Sequence, residues 1–309
     1  MDLFLRDPPP SATRANLQLQ TLNAPPPPPP RSTAQSMFST VILTLNEERN
    51  LPACLASIAG CDDIVVLDSG STDRTADIAR TAGARVFVNP FHNFAQQRNH
   101  ASDTIDFRHD WVFHLDADET FTPALLDEIR VRLATDDLQL IDGYYIAPRM
   151  IFRGRWIPHC TDYPAWQARL IHRKRFRFVQ AGHGQREAPD MRMGRLRENY
   201  HHNLSSESEE TIAQKLARYA RSEAAHAAAT CRPPRQLLRA LLSRDALARR
   251  RALKELSYRL PARGAIRFIY QYLLRRGFLD GSPGLAYCRL LAGYERESAR
   301  ELRRLRKIS

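Results

Sequence analysis

The sequence predicts an α/β protein: a mostly parallel sheet with helices on both faces, followed by a helical C-terminal extension. Three observations carry this. Strand-like and helix-like segments alternate from Phe38 to about Leu133 with short connections, the pattern of parallel strands joined by crossover helices. After Ile141 the alternation gives way to consecutive strand-like pieces. From about Arg235 the chain reads as helical and Arg-rich, broken by Pro261 and by the Gly277–Gly284 loop.

Taken in order, residues 1–36 hold nine of the twenty prolines, six of them in the run Pro25–Pro30. Such a run favours polyproline II and builds no core, so a disordered tail is expected. FSTVILTL (Phe38–Leu45) is apolar and β-rich, a buried strand. Asn50 can cap the next helix, with Pro52 in its first turn and Gly60 at its end. DIVVLD (Asp63–Asp68) is the second strand, and a helix runs from about Asp73 to Ala82 before Gly83. RVFV (Arg85–Val88) is the third strand. A short helix near Asn93–Ser102 precedes the strand WVFHL (Trp111–Leu115), and Thr122-Pro123 starts a helix to about Leu133. DGYYIAPRM, FRGRWI, WQARLIHR and RFRFVQ then read as strands of a second, mixed-sheet segment. Ser206-x-x-Glu209 resembles a capping box opening a helix along Ile212, Leu216 and Tyr219. The expected division is therefore 1–36, 37–205 and 206–309.

A chain of 309 residues allows one large domain or two smaller ones with a proper core. No apolar run reaches the roughly 18–20 residues that cross a bilayer. MDLFLRDPPP does not read as a secretory signal, and five scattered cysteines without a CxxC pair suggest a reducing, cytoplasmic setting. The formal charge of +12 is segregated: residues 231–309 hold 20 basic and 6 acidic side chains, leaving 26 basic and 28 acidic in residues 1–230. The basic end suits an anionic partner, or is a solvated helical surface.

Three polar clusters close three of the strands, where open α/β sheets bind ligands. The first is Thr44-Leu45-Asn46-Glu47-Glu48. It has no glycine, so a GxGxxG dinucleotide site and a P-loop are both absent. The second is Asp68-Ser69-Gly70-Ser71-Thr72-Asp73, in which Asp68 can accept hydrogen bonds from a base or ribose and Asp73 reads more simply as a helix cap. The third is His114-Leu115-Asp116-Ala117-Asp118-Glu119. Two carboxylates two residues apart in an irregular loop can reach one hard divalent cation, which then holds phosphate where the first loop lacks glycines.

Strand–TLNEE, strand–DSGSTD and strand–DADE, in that order, resemble the family 2 glycosyltransferases with the GT-A fold. The specific match runs from about Phe38 to Leu133 and continues more loosely through WQARL and GHGQRE. Within the family the chain is most similar to bacterial lipopolysaccharide core β-glycosyltransferases, which also have a basic helical C-terminal part, similar here to GFLDG (Gly277–Gly281). The resemblance implies an inverting hexosyltransferase that uses a nucleotide-sugar, usually a UDP-sugar, and Mg²⁺ or Mn²⁺. It places Asn46 and Glu47 in the nucleotide pocket and Asp68 on the base. Asp116 and Asp118 become the DxD pair that binds metal and diphosphate, Asp118 being the better metal ligand and Asp116 sharing the metal or binding the ribose.

Inverting transfer also needs a carboxylate to take the acceptor hydroxyl proton. Downstream candidates are Glu187 (in GHGQRE) and Asp162 (in TDYPAWQARL), with Glu187 favoured. Similar family members often carry a His-Glu pair near here, and this chain departs from it with His183-Gly184-Gln185-Arg186-Glu187. His183 is a candidate metal ligand or diphosphate partner, an ordinary structural histidine being the alternative. Gln167 and Arg169 suit acceptor or phosphate contact, or simply an alternating strand. AIRFIYQYLLRRGFLDG is too short and charged to span a membrane; its apolar face packs on the catalytic domain, lies peripherally on an anionic membrane, or does both.

Other readings are a non-catalytic sugar-nucleotide-binding protein and a nucleic-acid-binding protein. The second is motivated only by the basic end and lacks any recognised module, so no nucleic-acid partner is expected. A nucleotidyltransferase shares the paired carboxylates but usually needs a glycine-rich first loop.

Overall fold

The computed structural model describes residues 37–181, 184–205, 234–243 and 262–308, with scattered positions between 206 and 261. A seven-stranded sheet forms its centre. Strands β1 (Ser39–Thr44), β2 (Ile64–Asp68), β3 (Arg85–Val88) and β4 (Trp111–Asp116) are mutually parallel. The strands β6 (Gly143–Ile146) and β12 (Met193–Arg195) pair in parallel, and β9 (Gln167–His172) runs antiparallel between β4 and β6. The order across the sheet is β12-β6-β9-β4-β1-β2-β3.

Central position explains the composition of β1. It is sheltered on both faces and flanked by β2 and β4, so its residues are almost all buried, as expected of a parallel strand inside a covered sheet. Edge strand β3 has only four residues and leaves Phe87 and Val88 exposed; short edges limit pairing with other chains. One face of the sheet packs Phe38, Ile42, Phe113 and Leu115 against helices α1 (Leu51–Ser57) and α4 (Pro123–Thr135). The other packs Val41, Val65, Leu67 and Val112 against α3 (Phe94–Thr104).

The helix starts show which capping signals act. Thr122 accepts the Leu125 amide and Asn93 accepts the Gln96 amide, each satisfying one orphan donor of a first turn. Asn50 does not cap α1: its side-chain amide instead donates to Glu47 Oε2 at 2.6 Å, and the helix ends at Ser57, before Gly60. The carboxylate of Asp73 accepts the Thr75 amide and hydroxyl, so α2 (Thr75–Thr81) starts two residues after the expected cap.

After the central strands the chain builds a second layer. Strands β5 (Glu119–Thr120), β7 (Arg149–Phe152), β8 (Arg155–Trp156) and β13 (His201–Asn203) form a four-stranded sheet in the order β5-β13-β7-β8. The hairpin β10 (Phe178–Ala181)–β11 (Gly184–Glu187) stands beside α3. The capping box at Ser206 and Glu209 lies outside the described residues.

Helix α5 (Pro234–Leu241) is followed by α6 (Arg263–Phe268), a π-helical turn Ile269–Leu274, a 3₁₀ turn Gly277–Asp280 and the long helix α7 (Gly281–Ile308). Asp280 fastens this region to the loop after β8: it is buried, accepts the Cys160 amide at 2.8 Å and pairs with His159 Nδ1 at 2.7 Å. Gln271 donates to the Cys160 carbonyl and Arg275 to that of Thr161. Glycine is needed where the backbones meet, since a Cβ on Gly284 would lie 2.6 Å from the Gly277 carbonyl and 3.0 Å from Cys160 Sγ. Phe152, Ile157, Cys160 and Cys288 form the apolar centre of this junction.

Asp63 anchors the opposite end of the sheet. Its buried carboxylate accepts from Ser39 Oγ, the Arg108 amide and the Arg85 guanidinium. Burial alone would raise its pKa, but these donors hold it below the usual carboxylate value. A carboxyl depressed on folding stabilises the fold above its unfolded value, near pH 4, and that stabilisation disappears as pH falls through the folded value. Urea midpoints are therefore expected to drop below about pH 4, and Asp63→Asn, which loses charge-assisted bonds, to cost about 2–3 kcal/mol and flatten that fall.

Candidate active site

The carboxyl ends of β1, β2 and β4 meet at one edge. Thr44 pairs in register with Asp68 across β1–β2, and Leu43 with Asp116 across β1–β4. All three polar clusters therefore open side by side.

The first two loops are stitched together. Asn46 adopts a left-handed conformation at φ +57°, which its short amide tolerates. Its Oδ1 accepts the Thr72 amide at 2.8 Å and its own backbone amide donates to Ser71 Oγ at 2.8 Å. The Glu47 amide donates to Thr75 Oγ1 and its carboxylate holds Asn50. Asp68 is buried and accepts four bonds, from Thr44 Oγ1, Ser71 Oγ and the amides of Gly70 and Ser71. Gly70, at φ +98°, makes that turn possible. Burial would raise the Asp68 pKa, yet the bonds from Ser71, Thr44 and Gly70 keep it low. Asp68 thus organises the loop, and Asn46 and Glu47 line the same edge.

The third cluster is an ionic network. Asp116 gives one oxygen to Arg98 at 2.7 Å and the other to Arg169 at 3.0 Å. Arg169, buried under the edge, also reaches Glu119 Oε1 at 2.6 Å, the His114 carbonyl at 3.1 Å and Tyr200 Oη at 3.0 Å. Burial would lift the Asp116 pKa, but Arg169 and then Arg98 hold it far below the usual carboxylate range. Burial pushes the Glu119 carboxyl up to about 7, against the pull of Arg169. His114 is fully buried beneath, and burial, then Arg98 and Arg169, keep its ring neutral.

Asp118 faces a different partner. Its Oδ2 lies 3.3 Å from His202 Nε2, while His202 Nδ1 lies 3.4 Å from Glu119 Oε1. Burial disfavours the imidazolium, but Asp118, Glu119 and Asp116 outweigh it and raise His202 to about 9. Both Asp118 and His202 keep part of their surface open. Among the described residues no three His, Cys, Asp or Glu side chains assemble a complete metal cage.

A cavity of about 320 Å³ adjoins this network, lined by Asp116, Arg98, Arg169 and His202 together with Trp166, Arg186 and Glu187. Glu187, at the end of β11, shares a hydrogen bond with the Tyr145 phenol, whose pKa burial and Glu187 push up to about 12. Gln167 lines the same cavity and accepts from Arg169 and Tyr200. Asp162 is exposed on the loop between β8 and β9 and is not among the residues lining this cavity. His183 lies outside the described residues.

Two participants were not singled out from sequence. His202 arrives because β13 pairs antiparallel with β5, setting His202 opposite Glu119; only the sheet register reveals that. Arg98 is buried although it sits in a polar stretch of α3, and the sole sequence sign is an arginine at helical spacing from buried Ala95 and Ala101.

The parallel sheet, its acidic carboxyl edge and the flanking mixed layer define an α/β protein of the GT-A glycosyltransferase type. The chain belongs to glycosyl transferase family 2, whose family profile matches residues 39–197. It is 32% identical over 151 residues to the lipopolysaccharide core biosynthesis glycosyltransferase LpsC of Rhizobium meliloti, covering 47% of this chain and 52% of that protein. It is 35% identical over 117 residues to an uncharacterized glycosyltransferase of Rickettsia typhi, covering 38% and 39%. The matched segment thus spans about half or less of the length of these relatives. Among solved structures, glucosyl-3-phosphoglycerate synthase of Mycobacterium tuberculosis, in complex with Mn²⁺, UDP and glucosyl-3-phosphoglycerate, is 26% identical, with 38% of this chain and 45% of that one covered and a TM-score of 0.31. TarS of S. aureus is 15% identical, with 88% and 92% covered and a TM-score of 0.41.

Proposed function

We propose that the chain transfers a hexose, with inversion, from a nucleotide-sugar, preferentially a UDP-sugar, to a hydroxyl of an anionic cell-envelope glycan such as the lipopolysaccharide core. The observation that carries this reading is the meeting of Asp116, His202 and Glu187 around one cavity, with Asp118 behind it against the His202 imidazole. Family membership supports sugar transfer as the reaction class.

Asp118 and His202 fit a divalent cation. A carboxylate oxygen and an imidazole nitrogen converge there, both partly open; the cation would take the place of the proton that His202 holds toward Asp118, and Mg²⁺-type sites typically take one or two protein carboxylates and complete the shell with substrate phosphates. Mg²⁺ or Mn²⁺ held there supplies positive charge against the departing diphosphate. Asp116, with both oxygens committed to arginines, orients the edge and faces the ribose rather than lending a free oxygen to the metal. Asn46, Glu47 and the turn organised by Asp68 shape the wall for the nucleoside.

In the same cavity Glu187 takes the acceptor proton. Trp166 offers a ring face to a sugar, and Arg186 offers positive charge to an anionic acceptor. Glu187→Gln is expected to lower turnover about 10²–10⁴-fold with donor affinity unchanged, whereas Asp162→Asn keeps near-full activity. UDP release measured with an envelope-glycan acceptor, alongside nucleotide binding by calorimetry, tests both. Full turnover in Glu187→Gln overturns the assignment of the base.

A further inference from the structure

The C-terminal region carries an apolar surface that the catalytic reading does not use. Residues 263–274 run helically through α6 and the π turn. One stripe of this run, Gly264, Phe268, Gln271 and Tyr272, turns inward; Phe268 and Tyr272 stack at 5.2 Å and pack with Phe152 and Cys160. The interleaved stripe, Ile266, Ile269, Tyr270, Leu273 and Leu274, faces out, with exposures from 42% to 72%. Phe278 and Leu279 prolong it on the 3₁₀ turn, about half exposed. A contiguous apolar patch of this kind marks an interaction site rather than ordinary surface.

The charges beside it identify the partner. Residues 262–279 contain four arginines and no acid; Arg263 is paired with Glu295 and Arg275 donates to the Thr161 carbonyl, so Arg276 is the cation at the edge of the patch. Arg276 is exposed and has no acidic partner among the described residues. Apolar side chains on one face with an exposed cation at the margin suit insertion into the head-group boundary of an anionic bilayer. A second copy of the chain would bring like charges together at the same margin. No helix among the described residues is long and apolar enough to cross a membrane; the geometry is that of a segment lying on one.

We propose that the surface of Ile266, Ile269, Leu273, Leu274, Phe278 and Leu279 seats the protein on an anionic lipid surface, with Arg276 at its edge. This stands apart from the chemistry proposed above, because its test needs no turnover.

The full chain is centrifuged with vesicles of phosphatidylcholine alone or mixed with phosphatidylglycerol. Binding to the mixed vesicles is expected, weakening with salt. Arg276→Gln lowers it about fivefold, the effect of one cation near the surface. Leu273→Glu/Leu274→Glu lowers it at least about tenfold while the melting temperature holds, since both side chains already face solvent. Leu274→Trp, which keeps the apolar surface, shows a blue-shifted emission on vesicle addition that brominated lipid quenches. The proposal is overturned if the wild-type chain ignores anionic vesicles, if the double Glu variant binds as well as wild type, if the emission of the Leu274→Trp variant does not move, or if the double variant turns a dimer into a monomer without changing vesicle binding.

Discussion

Asp118→Ala is expected to cut sugar transfer about 10³-fold or more, and His202→Ala by a similar order, because each removes one of the two side chains proposed to hold the cation. Both are partly exposed at the edge of the network, so the fold should survive with a melting temperature within a few degrees of wild type. Excess EDTA should give the same loss in the wild-type protein, and Mn²⁺ should restore it. Three decades in rate is about 4 kcal/mol at the transition state, more than the loss of one partly exposed ion pair costs the fold. Initial rates of UDP release, with circular dichroism of each variant, measure both quantities. Wild-type rates in Asp118→Ala with EDTA present contradict the assignment.

Arg169→Met is expected to act through the fold. Arg169 lies buried between Asp116 and Glu119, at 3.0 and 2.6 Å, and also supports the His114 carbonyl and Tyr200. Its removal leaves the fully buried Glu119 carboxylate with the Asp116 amide at 2.9 Å and the more distant His202. Breaking a buried pair from one side costs about 3–5 kcal/mol, because the remaining carboxyl is left without its partner and must take up a proton or stay charged in the interior. In a chain of this size that corresponds to a fall in melting temperature of roughly 5–8 °C. Arg169→Lys keeps the charge but cannot fork between two carboxylates, and should fall in between. Thermal unfolding of the three proteins checks the order; equal stability of Arg169→Met and wild type would mean that the network carries no net stabilisation. Transfer should fall as well, since Asp116 loses one of its two guides.

What was legible beforehand follows from the range of the interactions. The strands β1 to β4 could be read because burial on both faces demands apolar runs, and the clusters at Asn46, Asp68 and Asp116 stood out because they interrupt those runs abruptly. Thr122 caps its helix as its position suggests, and Asn93 caps the helix expected near it. Asn50 looked equivalent, but Glu47 three residues earlier competes for its amide. The internal work of Asp68 was also hidden: its position at a strand end suggested outward contact, whereas Ser71, Gly70 and Thr44 occupy it. His202 lies 84 positions after Asp118 and reaches it only through the pairing of β13 with β5. No local pattern encodes such a register. The basic C-terminal segment was recognisable as amphipathic, but which of its apolar residues turn inward depends on the docking of Asp280 against the loop after β8.

In the proposed mechanism Asp118 and His202 jointly hold the cation. Pulsed electron paramagnetic resonance of Mn²⁺ bound to the protein in the presence of UDP tests it most directly, because an imidazole ligand couples its nitrogen to the metal spin. The wild-type complex is expected to show a nitrogen coupling that vanishes in His202→Gln, together with weakened Mn²⁺ binding in Asp118→Ala. A coupling that is absent from wild type, or that persists unchanged in His202→Gln, would contradict it.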